Sequence, residues 1–308
     1  MLKLGIIGTG DVAQHLHLPA LRRIPNIQIC AVSDSDPDKA HDWNYPVRQV
    51  WELLEDASIE AVAILTPAST HASILSNAIL RGKHIFIEKP LADSELEIRE
   101  MLRMALRSRG KITVGHNHRC HRLAVEARER MRTGRLGTIR AITMRWTGPV
   151  SNPDDPGLLD VGVHQLDLVS WLCDSRIEGT SMDRQGPTSC VQGRLQSGVL
   201  FHCFWSKSQL LHDEVLIHGS GRTLRFSLSA SKQLEVLGGG GSFQSRMQEI
   251  AQFGSQLTQL ARVVQAGGDW KDSYRKQWLN FYESVKNNTP VTCSVGDAAE
   301  AALRCLAL

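Results

Sequence analysis

Three things that would settle the class of this 308-residue chain early are missing from it. No apolar run approaches the ~18 residues that a membrane-spanning helix needs, so no membrane partner is expected. No C-x-x-C pair occurs. The seven cysteines (30, 120, 173, 190, 203, 293, 305) are odd in number and scattered, which argues against a disulfide framework or a zinc site and for reduced, mostly buried thiols. No strong charge of one sign is present either, since a net charge of +3 is too weak to recruit nucleic acid. The opening residues MLKLGIIGTG carry one lysine and break into glycine after a short apolar run, unlike a secretory leader, and a cytoplasmic chain is expected. What remains is an ordinary globular composition, 42 % apolar and 22 % charged, which excludes a disordered chain and suggests about two domains.

The first third alternates short apolar runs with helical spacing. Leu2–Ile7, Ile27–Ser33, Ile59–Leu65, His84–Ile87 and Ile112–His116 read as buried strands. Asp11–Ile24, Thr70–Arg81 and Ser94–Arg109 read as helices, the first carrying Pro19 as a kink or second start. Such alternation predicts a parallel sheet covered on both faces. A helix at Leu123–Arg132 follows, and then strands of period two: Ile139–Trp146, Ser189–Leu195, Val199–Trp205, Val215–His218 and Thr223–Phe226. Ser197-Gly198 and Ser220-Gly221 fall where tight turns belong. One helix, Leu158–Cys173, interrupts early, and more helices are expected after the Gly238–Gly241 run. The fold class is therefore α/β: a nucleotide-type domain over 1–117, then an α+β domain over 118–308 with a mostly antiparallel sheet.

Gly8-Thr9-Gly10-Asp11-Val12-Ala13 is a G-x-G-x-x-A turn between a strand and a helix. Its glycines allow a tight turn and a close approach of pyrophosphate to the backbone, and the helix N-terminus faces the phosphates. The second strand ends at Asp34, where a carboxylate can accept hydrogen bonds from an adenosine ribose. S-adenosylmethionine enzymes also join a glycine loop to an acid, and at this point they remain an alternative. Ser33-Asp34-Ser35-Asp36 holds no arginine for a ribose 2′-phosphate, with Lys39 the nearest cation, so NAD(H) is expected ahead of NADP(H).

Three further motifs stand in order: Thr66-Pro67-Ala68-Ser69-Thr70-His71, then Gly82-Lys83-His84-Ile85-Phe86-Ile87-Glu88-Lys89-Pro90-Leu91-Ala92, then Asp160-Val161-Gly162-Val163-His164-Gln165-Leu166-Asp167. With the glycine loop and Gly134–Ile139 they resemble the glucose–fructose oxidoreductase / inositol dehydrogenase / rhizopine catabolism (Gfo/Idh/MocA) family over essentially the whole chain. The resemblance implies a Rossmann domain, an antiparallel-sheet domain, a nicotinamide cofactor, and hydride transfer at a sugar, cyclitol or related hydroxyl or carbonyl. It implies a cofactor surface from Gly8, Gly10, Asp11, Val12 and Asp34, joined by Thr66, Pro67, His71, Glu88 and Lys89. Lys89, at the carboxyl end of a strand, would hydrogen-bond the reacting oxygen, with a cis bond before Pro90. His164 would be the general base, or the acid in reverse, and Asp160 would orient substrate or His164. At α-helical spacing Asp160, His164 and Asp167 share one face, and Asp167 reads as structural. A homo-oligomer, dimer or tetramer, is expected.

Departures from the family pattern are visible. Only Asp155-Pro156-Gly157 stands for the glycine-rich stretch before the second-domain helix, Cys120 replaces an aromatic residue and Arg122 a proline. His116, His118, Cys120 and His121 lack a fourth ligand at a useful spacing, so no metal is expected. Eight arginines against two glutamates between His118 and Arg145 concentrate the positive charge locally. Asn117, Arg119 and Arg122 match a segment bordering the family's cleft, and the arginines raise the proposal of an anionic substrate. The alternative is that Arg119 braces the structure and Arg122 faces solvent. Trp146, Trp205, Trp270 and Trp278 read as packing residues, with one a candidate sugar-lining ring. Met247, Ile250, Phe253, Leu257, Leu260 and Val264 form a helical stripe that fits a core or subunit contact. Other functional readings on the same fold are a catalytically silent cofactor-binding regulator and an enzyme that recycles a bound nicotinamide in a non-redox net reaction.

Overall fold

The computed structural model describes residues 1–149, 157–231, 233–237 and 268–308. The residues of the expected 243–265 helix, the Gly238–Gly241 run and Asp155-Pro156 lie outside them. Packing divides the chain into two compact units: Met1–Cys120 with Tyr274–Ala307, and His121–Ser273 with Leu308. The expected single cut after residue 117 therefore becomes a discontinuous arrangement, because the C-terminal residues pack with the first unit.

The first unit holds β1 (Leu2–Ile7), β2 (Ile27–Ser33), β3 (Ala61–Ile64), β4 (His84–Ile87) and β5 (Ile112–Val114), in the order β2-β1-β3-β4-β5. Every pairing is parallel. The strands are mainly apolar because the sheet is largely covered on both faces: Leu2, Leu4, Ile6, Val62, Ile64, Ile85 and Phe86 are all fully buried. The helix Glu95–Ala105 starts at Ser94, whose hydroxyl accepts from the Glu97 amide and donates to the Glu97 carboxylate, a reciprocal cap. Helix Val295–Leu306 starts on the same device at Ser294 and Asp297 and packs on Glu95–Ala105 and β5. The edge of β5 is covered: the Cys293 carbonyl accepts from the Val114 amide and the Thr113 hydroxyl. Short helices at Pro37–His41 and Val50–Glu55 were not expected, being too brief to show periodicity.

The second unit holds β6 (Ile139–Gly148), β7 (Ile177–Gln185), β8 (Thr188–Leu195), β9 (Leu200–Lys207), β10 (His212–Gly219), β11 (Thr223–Phe226) and β12 (Glu235–Leu237). Their order is β12-β11-β10-β6-β9-β8-β7, antiparallel except for the β6–β9 pair. One face is buried by alternation, as in Phe201, Cys203 and Trp205 on β9 and Ile142 and Met144 on β6. Strand β7 was not expected. Its sequence IEGTSMDRQ has little apolar alternation, and it exists by pairing with β8 across the turn at Gly186. All seven cysteines are free thiols. Among the described residues no helix is long and apolar enough to cross a membrane.

Candidate active site

The first unit carries the glycine loop. Gly8 has φ 95°, and a Cβ there would lie 2.7 Å from the Leu65 carbonyl, so no other residue lets the loop pass the end of β3 this closely. Gly10 is the opposite case, with nothing within 4 Å of a Cβ, which leaves its backbone open to a ligand. Beside it the apolar side chain of Val12 is 46 % exposed. The helix then winds as a π turn over Ala13–His17 before Leu18–Leu21. Pro19 has no N–H to give, and the wider turn just before it absorbs the missing donor.

Asp34 closes this loop. Its Oδ2 accepts from the Thr9 amide at 2.7 Å and the Thr9 hydroxyl at 2.9 Å, and its Oδ1 from the Asp36 amide at 3.0 Å. Burial pushes the Asp34 carboxyl up, but the Asp36 and Thr9 hydrogen bonds outweigh it and hold the group below its ordinary value. The carboxylate thus fixes the loop and keeps acceptor capacity for ribose hydroxyls. Lys39, the nearest cation in sequence, lies 3.9 Å from Asp36 in an exposed pair. An open backbone, an exposed apolar side chain and an ionised carboxylate at the end of β2 fit a dinucleotide without a 2′-phosphate.

Two loops follow at the carboxyl ends of β3 and β4, where open α/β sheets bind ligands. Thr66 is half-buried and Pro67 exposed. His71 departs from its expected place at the cofactor surface. It is fully buried, with Nε2 2.8 Å from the Thr66 carbonyl and Nδ1 3.1 Å and 3.2 Å from the Pro90 and Leu91 carbonyls. It staples one loop to the other, and burial lowers its pKa despite those carbonyls and Glu88. The expected cis bond joins Lys89 to Pro90.

Glu88 also departs from its expected cofactor contact. It is 7 % exposed; Oε1 accepts from His17 Nε2 at 2.9 Å and Oε2 from the Lys89 amide at 2.9 Å. Desolvation opposes its charge, but His17 and Lys89 prevail and its pKa lies below the ordinary value. A Cβ on Gly115 would fall 2.5 Å from Glu88 Oε1, so Gly115 makes room for this carboxylate. Lys83, in the same motif, is a buried plug donating to the Asp56 and Ile59 carbonyls, both at 2.7 Å. Lys89 itself is half-buried.

Asn117 and Arg119 lie in the buried turn Asn117–Cys120. Arg119 was expected at substrate, but its Nη1 donates to the Thr292 carbonyl at 3.0 Å and sits 3.4 Å from Asp297 Oδ2, bracing the C-terminal segment. Cys120 is buried, and desolvation pushes its thiol up to about 11. In the second unit Arg122, the other expected anion ligand, grips Asp269 with Nε and Nη2 at 2.8–3.1 Å. Asp269 is itself 7 % exposed in its side chain, so this is an internal pair. His121 caps the following helix Arg122–Arg132, its Nδ1 accepting from the Leu123 amide. Arg128 stacks on Trp171 at 4.4 Å, and Arg130 pairs with Glu126.

The second unit's motif departs from plain α-helical spacing. Residues Leu158–Gly162 form a second π turn, and the α-helix runs Val163–Cys173. Asp160 and His164 are half-buried, whereas Asp167 is 1 % exposed. A π turn rotates less per residue than an α turn, so Asp160 is not simply one α turn before His164. Gly162 is closely packed: a Cβ would come within 3.0–3.1 Å of the Trp205 ring. Gln165 Nε2 donates to the Phe204 carbonyl at 3.4 Å, tying the same helix to β9. Trp205 and Trp278 are buried packing residues; Trp146 and Trp270 are half-buried.

Comparison with known proteins places these observations. Residues 2–116 match the GFO_IDH_MocA family model, described as an oxidoreductase family with an NAD-binding Rossmann fold, and residues 128–307 match the model of that family's C-terminal alpha/beta domain. The oxidoreductase YrbE of Bacillus subtilis is 25 % identical over 96 % of this chain and 90 % of its own length. Inositol 2-dehydrogenase of Rhizobium meliloti is 27 % identical over 56 % of this chain and 54 % of its own, so that match spans about half of each protein. The structure of scyllo-inositol dehydrogenase from Lactobacillus casei, with NAD(H) and scyllo-inositol bound, superposes with a TM-score of 0.79 at 18 % identity, covering 100 % of this chain and 96 % of that one. At that identity the likeness speaks for the fold.

Proposed function

The chain belongs to the Gfo/Idh/MocA oxidoreductase family, and on that premise we propose that it moves a hydride between NAD and a hydroxyl or carbonyl carbon of a sugar, cyclitol or sugar derivative. Bound in the first unit, the nicotinamide supplies a two-electron hydride acceptor or donor. Gly10 leaves its backbone open to the pyrophosphate, and Asp34 accepts from the ribose hydroxyls. The Lys89 ammonium hydrogen-bonds the reacting oxygen and stabilises its alkoxide character. His164 takes the hydroxyl proton in oxidation and returns it in reduction. The carbon loses a hydride, the oxygen loses a proton, and a carbonyl remains. Asp160 orients substrate or His164.

The observation that carries this reading is the loop itself: an open Gly10 joined through Thr9 to an ionised Asp34, in the unit that also presents Lys89 at the end of β4. Relatives named for inositol and for dTDP-linked deoxysugars support the substrate class. Arg119 and Arg122 are held by carboxylates of this chain, so neither is assigned to a substrate anion. A dimer or tetramer, and a cytoplasmic location read from the opening residues, are parts of the same proposal. The test is NAD⁺ reduction across inositols and sugars. Lys89→Met and His164→Ala each lower kcat by about a hundredfold or more, with cofactor affinity nearly unchanged. Near-normal turnover in both variants refutes the assignment.

A further inference from the structure

We propose that Trp278 and His17 are positioning residues for Lys89: the indole of Trp278 fixes the tautomer of His17, and His17 in turn fixes Glu88, which holds the backbone of Lys89. The inference rests on Lys89 being the group at the reacting oxygen. It concerns three residues far apart in the chain that meet inside the first unit.

The argument is one of donors and acceptors. Trp278 Nε1 lies 3.0 Å from His17 Nδ1. An indole N–H only donates, so Nδ1 must present a lone pair. The proton of the neutral ring therefore sits on Nε2, which is 2.9 Å from Glu88 Oε1. Glu88 must then accept there as a carboxylate, and its other oxygen accepts from the Lys89 amide at 2.9 Å. Each bond in the row fixes the direction of the next. Protonating His17 on Nδ1 would expel the Trp278 bond and set two N–H groups against each other.

The surroundings hold the row in place. His17 and Trp278 are both fully buried. Phe86 stacks on Trp278 with centroids 4.1 Å apart, and Phe86, Tyr274 and Trp278 all meet the imidazole edge-on at 5.2–5.8 Å. Glu88, from the end of β4, and Tyr274, from the helix Asp269–Lys286 that also brings Trp278, both face the ring. His17 itself comes from the π turn behind the glycine loop. The row thus links the start of the cofactor helix to the loop that presents Lys89.

The test reads the tautomer and the chemistry separately. In ¹⁵N-imidazole spectra, with the His17 signal identified by its loss in H17Q, wild-type protein shows the Nε2–H tautomer. W278F keeps an aromatic ring but removes the donor. In it the His17 ring is no longer held to that one tautomer, kcat falls about tenfold, and KM values and the NAD⁺ dissociation constant change less than about threefold. His17→Asn, which cannot reach Glu88, loses at least as much kcat. H17Q restores most of it, because the Gln amide can still donate to Glu88. An Nδ1–H His17 in the wild type overturns the proposal. So does wild-type kcat in W278F and His17→Asn while Lys89→Met is impaired, an outcome that leaves the Lys89 reading standing. Normal turnover in Lys89→Met fells that reading and the purpose of the row together.

Discussion

Replacing Gly162 with Ala separates packing from helix propensity. Gly162 has helical dihedrals, φ −57° and ψ −41°. At an unencumbered helical position the change to Ala stabilises by about 1 kcal/mol. Here the new methyl would lie 3.0–3.1 Å from the ring of Trp205, which is 1 % exposed and cannot swing into solvent. Overpacking of this kind costs about 1–3 kcal/mol. The net expectation is a loss of up to about 2 kcal/mol, set by how far Trp205 or the turn can yield. The same displacement tilts the turn between Asp160 and His164, so kcat falls by about tenfold or more while NAD⁺ affinity holds. The assay is a double-mutant cycle with Trp205→Phe, following urea unfolding and kcat. Phe removes the outer ring that meets the methyl, so the pair should be less destabilised than the sum of the singles by about 1 kcal/mol or more. A Gly162→Ala protein that gains about 1 kcal/mol and turns over normally refutes the packing argument.

NADH should bind more tightly than NADPH in a fluorescence titration, because the Asp34 carboxylate repels a 2′-phosphate; tighter NADPH binding sinks that reading. Arg122→Ala should cost about 1–3 kcal/mol in denaturant melts by stranding the buried Asp269 carboxylate, and should change kcat/KM equally for matched neutral and anionic substrates. A selective loss on anionic substrates would restore Arg122 as an anion ligand. Acid stability follows from Glu88, Asp34 and Asp297, all of whose pKa values are lowered on folding. Their stabilisation is complete above the ordinary carboxylate range near pH 4 and is lost as pH falls through and below it. Melting temperature between about pH 7 and 3.5 should drop less steeply in Glu88→Gln than in wild type, and parallel curves would count against the Glu88 contribution.

The first-unit sheet was legible because its strands are largely buried on both faces and so read as mainly apolar runs. All five expected strands form, three with the expected ends, while Ile59–Leu65 shortens to β3 at Ala61–Ile64 and Ile112–His116 to β5 at Ile112–Val114. Period two exposed β6 and β8–β11 in the second unit for the same reason, applied to one face. Strand β7 escaped because its residues gain little from burial; mostly exposed, it is held by its ladder to β8. The two π turns escaped too. Helical periodicity records which side is apolar, and one extra residue in a turn barely alters that over five residues.

The motifs located the site but blended two kinds of residue. Glu88-Lys89-Pro90 marks the end of β4, yet both Glu88 oxygens accept hydrogen bonds from within the chain. In Thr66–His71 the histidine is the staple and the residues before it form the exposed loop. A buried holding residue and an exposed touching residue can share a motif because either one, when changed, displaces the same reacting group. What separates them is the partner, and the partners lie far off in sequence: His17 is 71 residues from Glu88, and Trp278 is 261 from His17. No spacing rule connects a tryptophan on a C-terminal helix with a histidine behind the glycine loop. The chemistry does, because an indole that can only donate requires a ring that accepts. The geometry of Lys89 is therefore set by residues that no local pattern would have grouped with it.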